Sequence, residues 1–353
     1  MTQPKKKEPT QRRPATMKDI ANAAGVAQST VSRILNDAPL LVPISRETRE
    51  RVLAAAAEFA YRPNPHARGL RGAPTMLLGA IVRDITDPFF AGAIDALSLE
   101  ARQRGYSVVL GHARERADEA LALAAVLEAR QCDGIVIVGD MRNQPRLMED
   151  LERVHAPVVA VWHGSRHDGF LTVNVDNRRG IEAALNHLAR LGHRRVAFAG
   201  DPVLGDIQER QAAYEDYVSR HGLEARDGYI QHVRNSFSSG VAALEALMGL
   251  SEPPTAVAAA TDVLAIGMLH AASGRGLAVP ADFSVVGFDD IPFAAMTVPA
   301  LTTVRMPVER MIKAAVEMAV DKKLRNAAGT PRGVRVFRPS VVVRRSTAKL
   351  ERR

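Results

Sequence analysis

Gln28, Ser29, Ser32, Arg33 and Asn36 are side chains that could make hydrogen bonds from one surface. At about 100° per residue they fall within an arc of roughly 140° on a helix, and Val31 and Ile34 lie on the far side. One face can pack while the other offers short polar groups with little charge. Base edges in the major groove of duplex DNA are read by such groups, Gln suiting adenine and Ser several bases. A solvated surface helix has the same composition, so this segment alone does not decide.

The elements that would hold this face can be read around it. Thr16 with Asp19 three residues on has the spacing of a capping box, which ties up orphan backbone N–H groups at a helix start. Met17, Ile20, Ala21 and Ala24 then share an apolar face. Gly25 sits where a left-handed residue ends the helix, and Val26 and Ala27 lead into the polar helix, which makes a helix-turn-helix. Ser45 is placed to cap a third helix from Arg46 to about Ala60, whose Val52, Ala56 and Phe59 can close a three-helix core with Ile20, Val31 and Ile34. Pro63 and Pro65 stop it. Residues 1–15, rich in Lys, Arg, Pro and Gln, read as a disordered basic tail. NPHARGLRGAPT reads as a linker; a helix from His66 to Leu70 is too short to stand alone in water and would form on binding.

Charge supports this layout. The chain of 353 residues carries a net charge of +8; through Ala73 there are thirteen Lys and Arg against six Asp and Glu, so +7 of the +8 lies in the first module. A small basic module on a nearly neutral body suits a chain that meets a polyanion at one end. Cys132, the single cysteine, lies beside an apolar run and reads as an inert core thiol. With no secretory h-region and no run of about 18 apolar residues, a cytoplasmic, nucleoid-associated protein without a membrane partner is expected.

From Met76 the pattern changes. MLLGAIV, YSVVLG, GIVIVG and PVVAV alternate with amphipathic helices (Phe89 to Arg104, Ala117 to Arg130, Leu147 to Val154). A second series follows: LTVNV, RVAFAG, a weak strand near Tyr229 to Val233, TAVAAA and FSVVGF, with helices from Asn177, Asp206, Ser239 and Asp262. Such alternation implies doubly wound parallel sheets in two similar α/β lobes, with a ligand cleft beyond the strands' carboxyl ends.

The chain resembles the LacI/GalR family of bacterial transcriptional regulators from Thr16 to about Thr347. The resemblance rests on an ordered set: TMKDIANAAGVAQSTVSRILN, ETRERVLAAAAEFAYRPN, HARGL, Asp87-Pro-Phe-Phe90, VNVDN, HLARLGHRRVAFAG, ATDVLAIGML, VPADFSVVGFDDIP and PALTTVRMP. It implies an all-α helix-turn-helix headpiece at 16–63, a hinge at 64–74, and a periplasmic-binding-protein-like core at 75–347 before a short tail, 348–353. In that core, lobe 1 would take about 75–174 and 304–330, and lobe 2 about 175–303 and 331–347.

The resemblance also implies roles. Gln28, Ser29 and Ser32 match base-reading positions, joined by Thr30, Arg33 and Asn36 in the DNA-facing set. Ala67 and Arg68 precede Leu70, which stands where a hinge leucine wedges into the minor groove and unstacks DNA. Arg210 matches a ligand-contacting arginine and Asp262 a ligand-contacting acid, groups that can each take two adjacent hydroxyls of a sugar. Phe89 and Phe90 stand at the cleft mouth, where one can lie against a sugar ring and the other pack in the core. Trp162 and His163 stand where many relatives carry Asp-Arg, and Asp87, Asn235 and Asp290 complete the effector set. Three departures stand out: Ala27 replaces a capping serine, at about 1 kcal/mol; the loop from Asp37 to Ser45 is a few residues longer than the family pattern; and Gly69 weakens the hinge helix by up to about 1 kcal/mol.

The expectation is a repressor that binds a pseudo-palindromic operator as a homodimer, with a tetramer left open. A sugar or sugar derivative would control it, without cofactor or metal. Whether the ligand releases or recruits the operator is a sign the sequence leaves open. An enzyme of the cleft is opposed by the lack of a phosphate-binding loop, nucleophile elbow or metal spacing. A transport binding protein is opposed by the headpiece, and a purely architectural DNA binder by the ligand core. Leu70→Ala should weaken operator binding far more than nonspecific binding, because the wedge acts only where DNA bends; equal losses in paired gel-shift titrations would remove the wedge role.

Overall fold

In the computed structural model, residues 15–35, 43–61, 74–141, 147, 151, 153–162, 171–321 and 333–350 are described. The chain divides into two compact units, 1–73 and 74–353. In the first, the Asp19 carboxylate accepts the Thr16 N–H at 2.8 Å and the Asp19 N–H points back to the Thr16 hydroxyl at 3.4 Å, the reciprocal cap that starts α1 (Met17–Ala24). Gly25 ends that helix at φ +64°, a conformation open to a residue without Cβ. Helix α2 (Gln28–Leu35) follows, and Ser45 caps α3 (Arg46–Glu58) by accepting the Thr48 N–H at 3.2 Å. Ile20, Ala21, Ala24, Val31, Ile34, Val52, Ala55 and Ala56 form the core. Phe59 is not part of it: the helix stops at Glu58, so Phe59 leaves the face it would have shared with Val52 and is 42% exposed, while Tyr61 packs against the core. Asn36, Ala67, Arg68 and Leu70 lie outside the described residues, as do His163 and half of the expected helix from Leu147 to Val154.

The second unit holds two sheets. The first lobe runs β1 (Leu77–Val82), α4 (Pro88–Gln103), β2 (Ser107–His112), α5 (Ala117–Ala129), β3 (Gly134–Val138), β4 (Val158–Val161) and β5 (Leu171–Val175). Its inner strands β3 and β4 are buried at every position because helices cover both faces, which is why the sequence shows unbroken apolar runs there. The second lobe repeats the plan with α6 (Asn177–Arg190), β6 (Val196–Gly200), α7 (Gly205–His221), β7 (Ile230–His232), α8 (Phe237–Met248), β8 (Ala256–Ala259), α9 (Asp262–Gly274), β9 (Ser284–Asp289) and β10 (Thr302–Arg305). Helix α10 (Val308–Ala319) and strands β11 (Gly333–Phe337) and β12 (Ser340–Val342) complete the chain. The strand orders are β11-β5-β4-β3-β1-β2 and β12-β10-β9-β8-β6-β7, the same winding twice, with β12 antiparallel to β10.

One lobe boundary differs from the sequence expectation, which put all of 331–347 in the second lobe. Strand β11 instead pairs in parallel with β5, Gly333 beside Leu171 through Phe337 beside Val175, in the first sheet. The chain therefore crosses between lobes three times: after β5, after β10 and between β11 and β12. Helix α10 packs on α4 and on strands of the first sheet, burying Met311, Ile312, Ala315, Val316 and Ala319. Cys132 is buried, and that burial pushes its thiol to about 11, so it stays protonated near neutrality. Among the described residues no helix is long and apolar enough to cross a membrane.

Two glycines set how closely α8 and α9 approach. A Cβ at Gly240 would lie 2.2 Å from the Leu264 carbonyl oxygen, and one at Gly267 2.2 Å from that of Phe237. Backbone cannot yield as a flexible side chain does. Gly267→Ala should therefore destabilise the core by about 1–3 kcal/mol, seen as a lower urea midpoint, whereas Gly274→Ala, where a Cβ meets nothing within 4 Å, should not.

Candidate functional site

Helix α2 presents two unlike faces. Val31 is fully buried and Ile34 nearly so, whereas Gln28, Ser29 and Arg33 are exposed and Thr30 and Ser32 half-buried. With alanine at position 27, the helix start has only the Ala27 carbonyl, which accepts the N–H groups of Thr30 and Val31. The exposed groups all make hydrogen bonds, suited to base edges and phosphates.

In the core unit, polar side chains gather where strands of both lobes end. Arg210, on α7, is 1% exposed. Its Nε donates to Asn177 Oδ1 at 2.9 Å and its Nη1 to the Ala260 carbonyl at 2.6 Å. Asp206 Oδ2 lies 3.4 Å from Nη2 and Asp289 Oδ1 3.5 Å from Nη1, and the guanidinium rests 3.7 Å from the Phe288 ring centroid. A buried cation needs this degree of pairing to offset its lost hydration. From the first lobe come Arg83 and Asp87, after β1, and Asp140, after β3. Asp140 Oδ2 accepts the Gly205 N–H at 2.6 Å, and Asp87 Oδ2 accepts Asn235 Nδ2–H at 3.0 Å; both bonds join the two lobes. Asn235 in turn accepts the Thr261 hydroxyl at 2.6 Å. The assembly lies at the points where each strand order reverses, the usual place for a ligand in such sheets.

A family model described as bacterial regulatory proteins, lacI family, matches residues 16–64, and one described as a periplasmic binding protein-like domain matches 185–347. The HTH-type transcriptional regulator GalS of Salmonella typhimurium (strain LT2) is 32% identical over 338 residues, 94% of this chain and 96% of that protein. The chain belongs to the LacI family of bacterial regulatory proteins. Two solved structures share its fold. The lac repressor dimer bound to operator and the anti-inducer ONPF matches with TM-score 0.84 and 26% identity, covering 95% of this chain and all of that one. The transcriptional regulator CelR–cellobiose complex matches with TM-score 0.69 and 27% identity, covering 94% and 99%. The protein is thus a DNA-binding transcriptional regulator, and these relatives are named as regulators rather than enzymes.

Within this LacI-family core the residues singled out in the sequence separate. Arg210, Asp87 and Asn235 come together in the buried cluster. Phe90 is 1% exposed and carries Arg83 on its ring at 4.7 Å, a packing role. Phe89 is half-buried, edge-on to Trp162 at 4.8 Å. Trp162 is 3% exposed, its indole N–H has no hydrogen-bond partner among the described residues, and its backbone is left-handed at φ +54°.

Asp262 does not present a free carboxylate: it is fully buried, Oδ1 accepting the Thr303 hydroxyl at 2.5 Å and Oδ2 the Ile291 N–H at 2.9 Å. A Cβ at Gly287 would sit 2.1 Å from Oδ1, so Gly287 makes room for this inward pose. Asp290 pairs with Arg305 and Arg344 rather than with Arg210. Besides Asp206, the acid that faces Arg210 is Asp289, which sequence reading passed over although it adjoins Asp290. Consecutive left-handed residues at the end of β9, Asp289 at φ +121° and Asp290 at φ +62°, send the two carboxylates to different partners. Asp140, Asp206, Arg83 and Asn177 were also missed; each ends a strand or begins a helix, and nothing local marks it.

Burial raises several acids here. It lifts Asp87, lifts Asp289 well above the usual range despite Arg210, and lifts Asp262 to about 7. Burial and the nearby Asp206 charge push Asp140 to about 7. An acid whose pKa is higher in the folded state binds its proton more tightly there. Its contribution to stability therefore falls as pH rises from the unfolded pKa near 4 and levels off above about 7. Asp140→Asn should raise the melting temperature at pH 8 more than at pH 5; an equal change at both would show that the Asp140 charge is not the cause.

Proposed function

We propose that this regulator is a repressor that acts as a homodimer on a pseudo-palindromic operator in the bacterial nucleoid. Its operator affinity is set by a sugar or sugar derivative bound between the lobes. The observation that carries the reading is the division of α2 into a buried apolar face and an exposed Gln28, Ser29 and Arg33 face on a basic module. Gln28, Ser29, Thr30, Ser32, Arg33 and Asn36 contact DNA in the major groove, and two copies reach grooves about one helical turn apart. Ala67, Arg68 and Leu70 act at the operator centre in the minor groove.

In the cleft, Arg210 and Asp289 take adjacent hydroxyls of the effector, the charge-assisted geometry that suits a polyol. Asp87 and Asn235 orient it, and Phe89, backed by the buried Trp162, offers apolar surface, with His163 following. Cellobiose in the CelR complex supports a sugar as the ligand class. The bonds from Asp140 to Gly205 and from Asp87 to Asn235 close the lobes, so a ligand that competes with them or adds to them changes the lobe angle. Operator affinity and effector affinity are then linked reciprocally.

Selection of bound DNA from random duplexes, repeated with a panel of sugars, tests the whole reading: a two-fold symmetric site with one sugar shifting its affinity is expected, and sequence-independent binding would overturn it. Arg210→Lys keeps the buried charge but not the fork. It should leave the operator footprint intact and abolish the sugar response; an unchanged response would move the ligand elsewhere.

A further inference from the structure

All three crossings between the lobes lie at one side of both sheets. They leave or join β5 and β11, the second and first strands of the first sheet, and β10 and β12, the matching pair of the second. The opposite edges are β2 and β7, four strands away from β5 and β10. With strands about 4.8 Å apart, a rotation of about 10° about the crossings parts these free edges by about 3 Å.

Bonds between the lobes step outward to that free edge. Asp140, after β3, meets Gly205; Asp87, after β1, meets Asn235; and Glu115, after β2, accepts Arg234 Nη2–H on its Oε2 at 2.6 Å. Strands β3, β1 and β2 are neighbours in that order. The first two bonds belong to the cleft. The third is an ion pair at the rim, its side chains 70% exposed at Arg234 and 16% at Glu115.

Both ends of the pair are held by backbone. Arg114 and Glu115 are consecutive left-handed residues at φ +53° and +62°, and the Glu115 N–H donates to the Arg83 carbonyl at 2.8 Å. Such a conformation in residues with a Cβ persists where the surroundings fix it. Across the gap, the Val233 N–H donates to the Gly200 carbonyl at 3.0 Å, and the Arg234 carbonyl accepts the Ser236 N–H at 2.9 Å. Displacement grows with distance from the crossings, so a rotation that only stretches the Asp140 bond breaks this pair.

We propose that Glu115 and Arg234 form a clasp that holds the free edges of the lobes together without effector and makes the lobe equilibrium depend on ionic strength. Neither residue belongs to the effector set; they position the lobes. On the reading that lobe angle governs DNA binding, releasing the clasp also changes operator affinity.

The test is the distance between nitroxide labels at Glu119→Cys and Ser238→Cys, on α5 and α8, by pulsed electron spin resonance of the full chain diluted with unlabelled chain. Both positions are exposed, and the native Cys132 is buried away from the label. Glu115→Gln and Arg234→Gln should each raise the long-distance population about two- to fivefold. The exchange Glu115→Arg with Arg234→Glu should restore the parent distribution. Salt at about 1 M, which screens charges beyond about 3 Å, should do to the parent what Arg234→Gln does and leave that variant unchanged. A parent-like distribution in either single variant, an exchange that restores nothing, or a salt response kept by Arg234→Gln overturns the proposal. Arg234 is mostly exposed, so Arg234→Gln keeps the core and decides alone if the Glu115 variants do not fold. Operator titrations of the same variants at fixed salt separate the two readings: shifted distances with unchanged operator affinity support the clasp and overturn the link between lobe angle and DNA.

Discussion

The core is organised around one buried cation. The Arg210 guanidinium has no useful contact with water, so its charge must be met by protein, and its partners come from α6, α7 and the ends of β8 and β9. An unpaired charge there would cost several kcal/mol, so these elements are held in register by the need to satisfy it. Asn177 is the second residue after β5, where the chain has just crossed from the first lobe. The buried cation is thereby bonded to one of the three crossings between the lobes.

The acids around that cation work against one another. Asp140, Asp206, Asp289 and Asp87 are brought close when the lobes meet, and two arginines, Arg83 and Arg210, share the neutralisation. Burial therefore raises Asp87, Asp140 and Asp289. Backbone N–H donors soften this: Gly205 bonds Asp140 across the gap, and Ile291 bonds Asp262. A ligand that supplies donors or charge to these oxygens changes the balance between open and closed forms, which is what linkage to DNA binding requires. The two left-handed aspartates at the end of β9 store backbone strain of order 1–3 kcal/mol each, in return for pointing neighbouring carboxylates at different arginines.

Asp262 shows how a family pattern can locate a residue without recording its surroundings. Its position at the start of α9 marks it for attention, yet the side chain is spent on Thr303 and the Ile291 N–H. It fixes the loop that carries Asp289 and Asp290. Phe59 is the matching case in the headpiece, where helical spacing put it in the core and an earlier helix end took it out.

The sequence by itself determined the headpiece and the alternation of the core. Capping at Thr16 and Ser45, the turn at Gly25 and the apolar stripe through Ile20, Val31 and Val52 are local, each set by neighbours within a few residues. The buried strands announce themselves for a similar reason, since helices on both faces demand an apolar residue at every position. Only the tertiary structure decided that β11 joins β5, that the chain crosses a third time, and that Asp289 rather than Asp262 or Asp290 meets Arg210. Those outcomes depend on partners far away in the chain, on which sheet edge is open and on which carboxylate the fold leaves nearest a buried charge, and no spacing within the sequence records them.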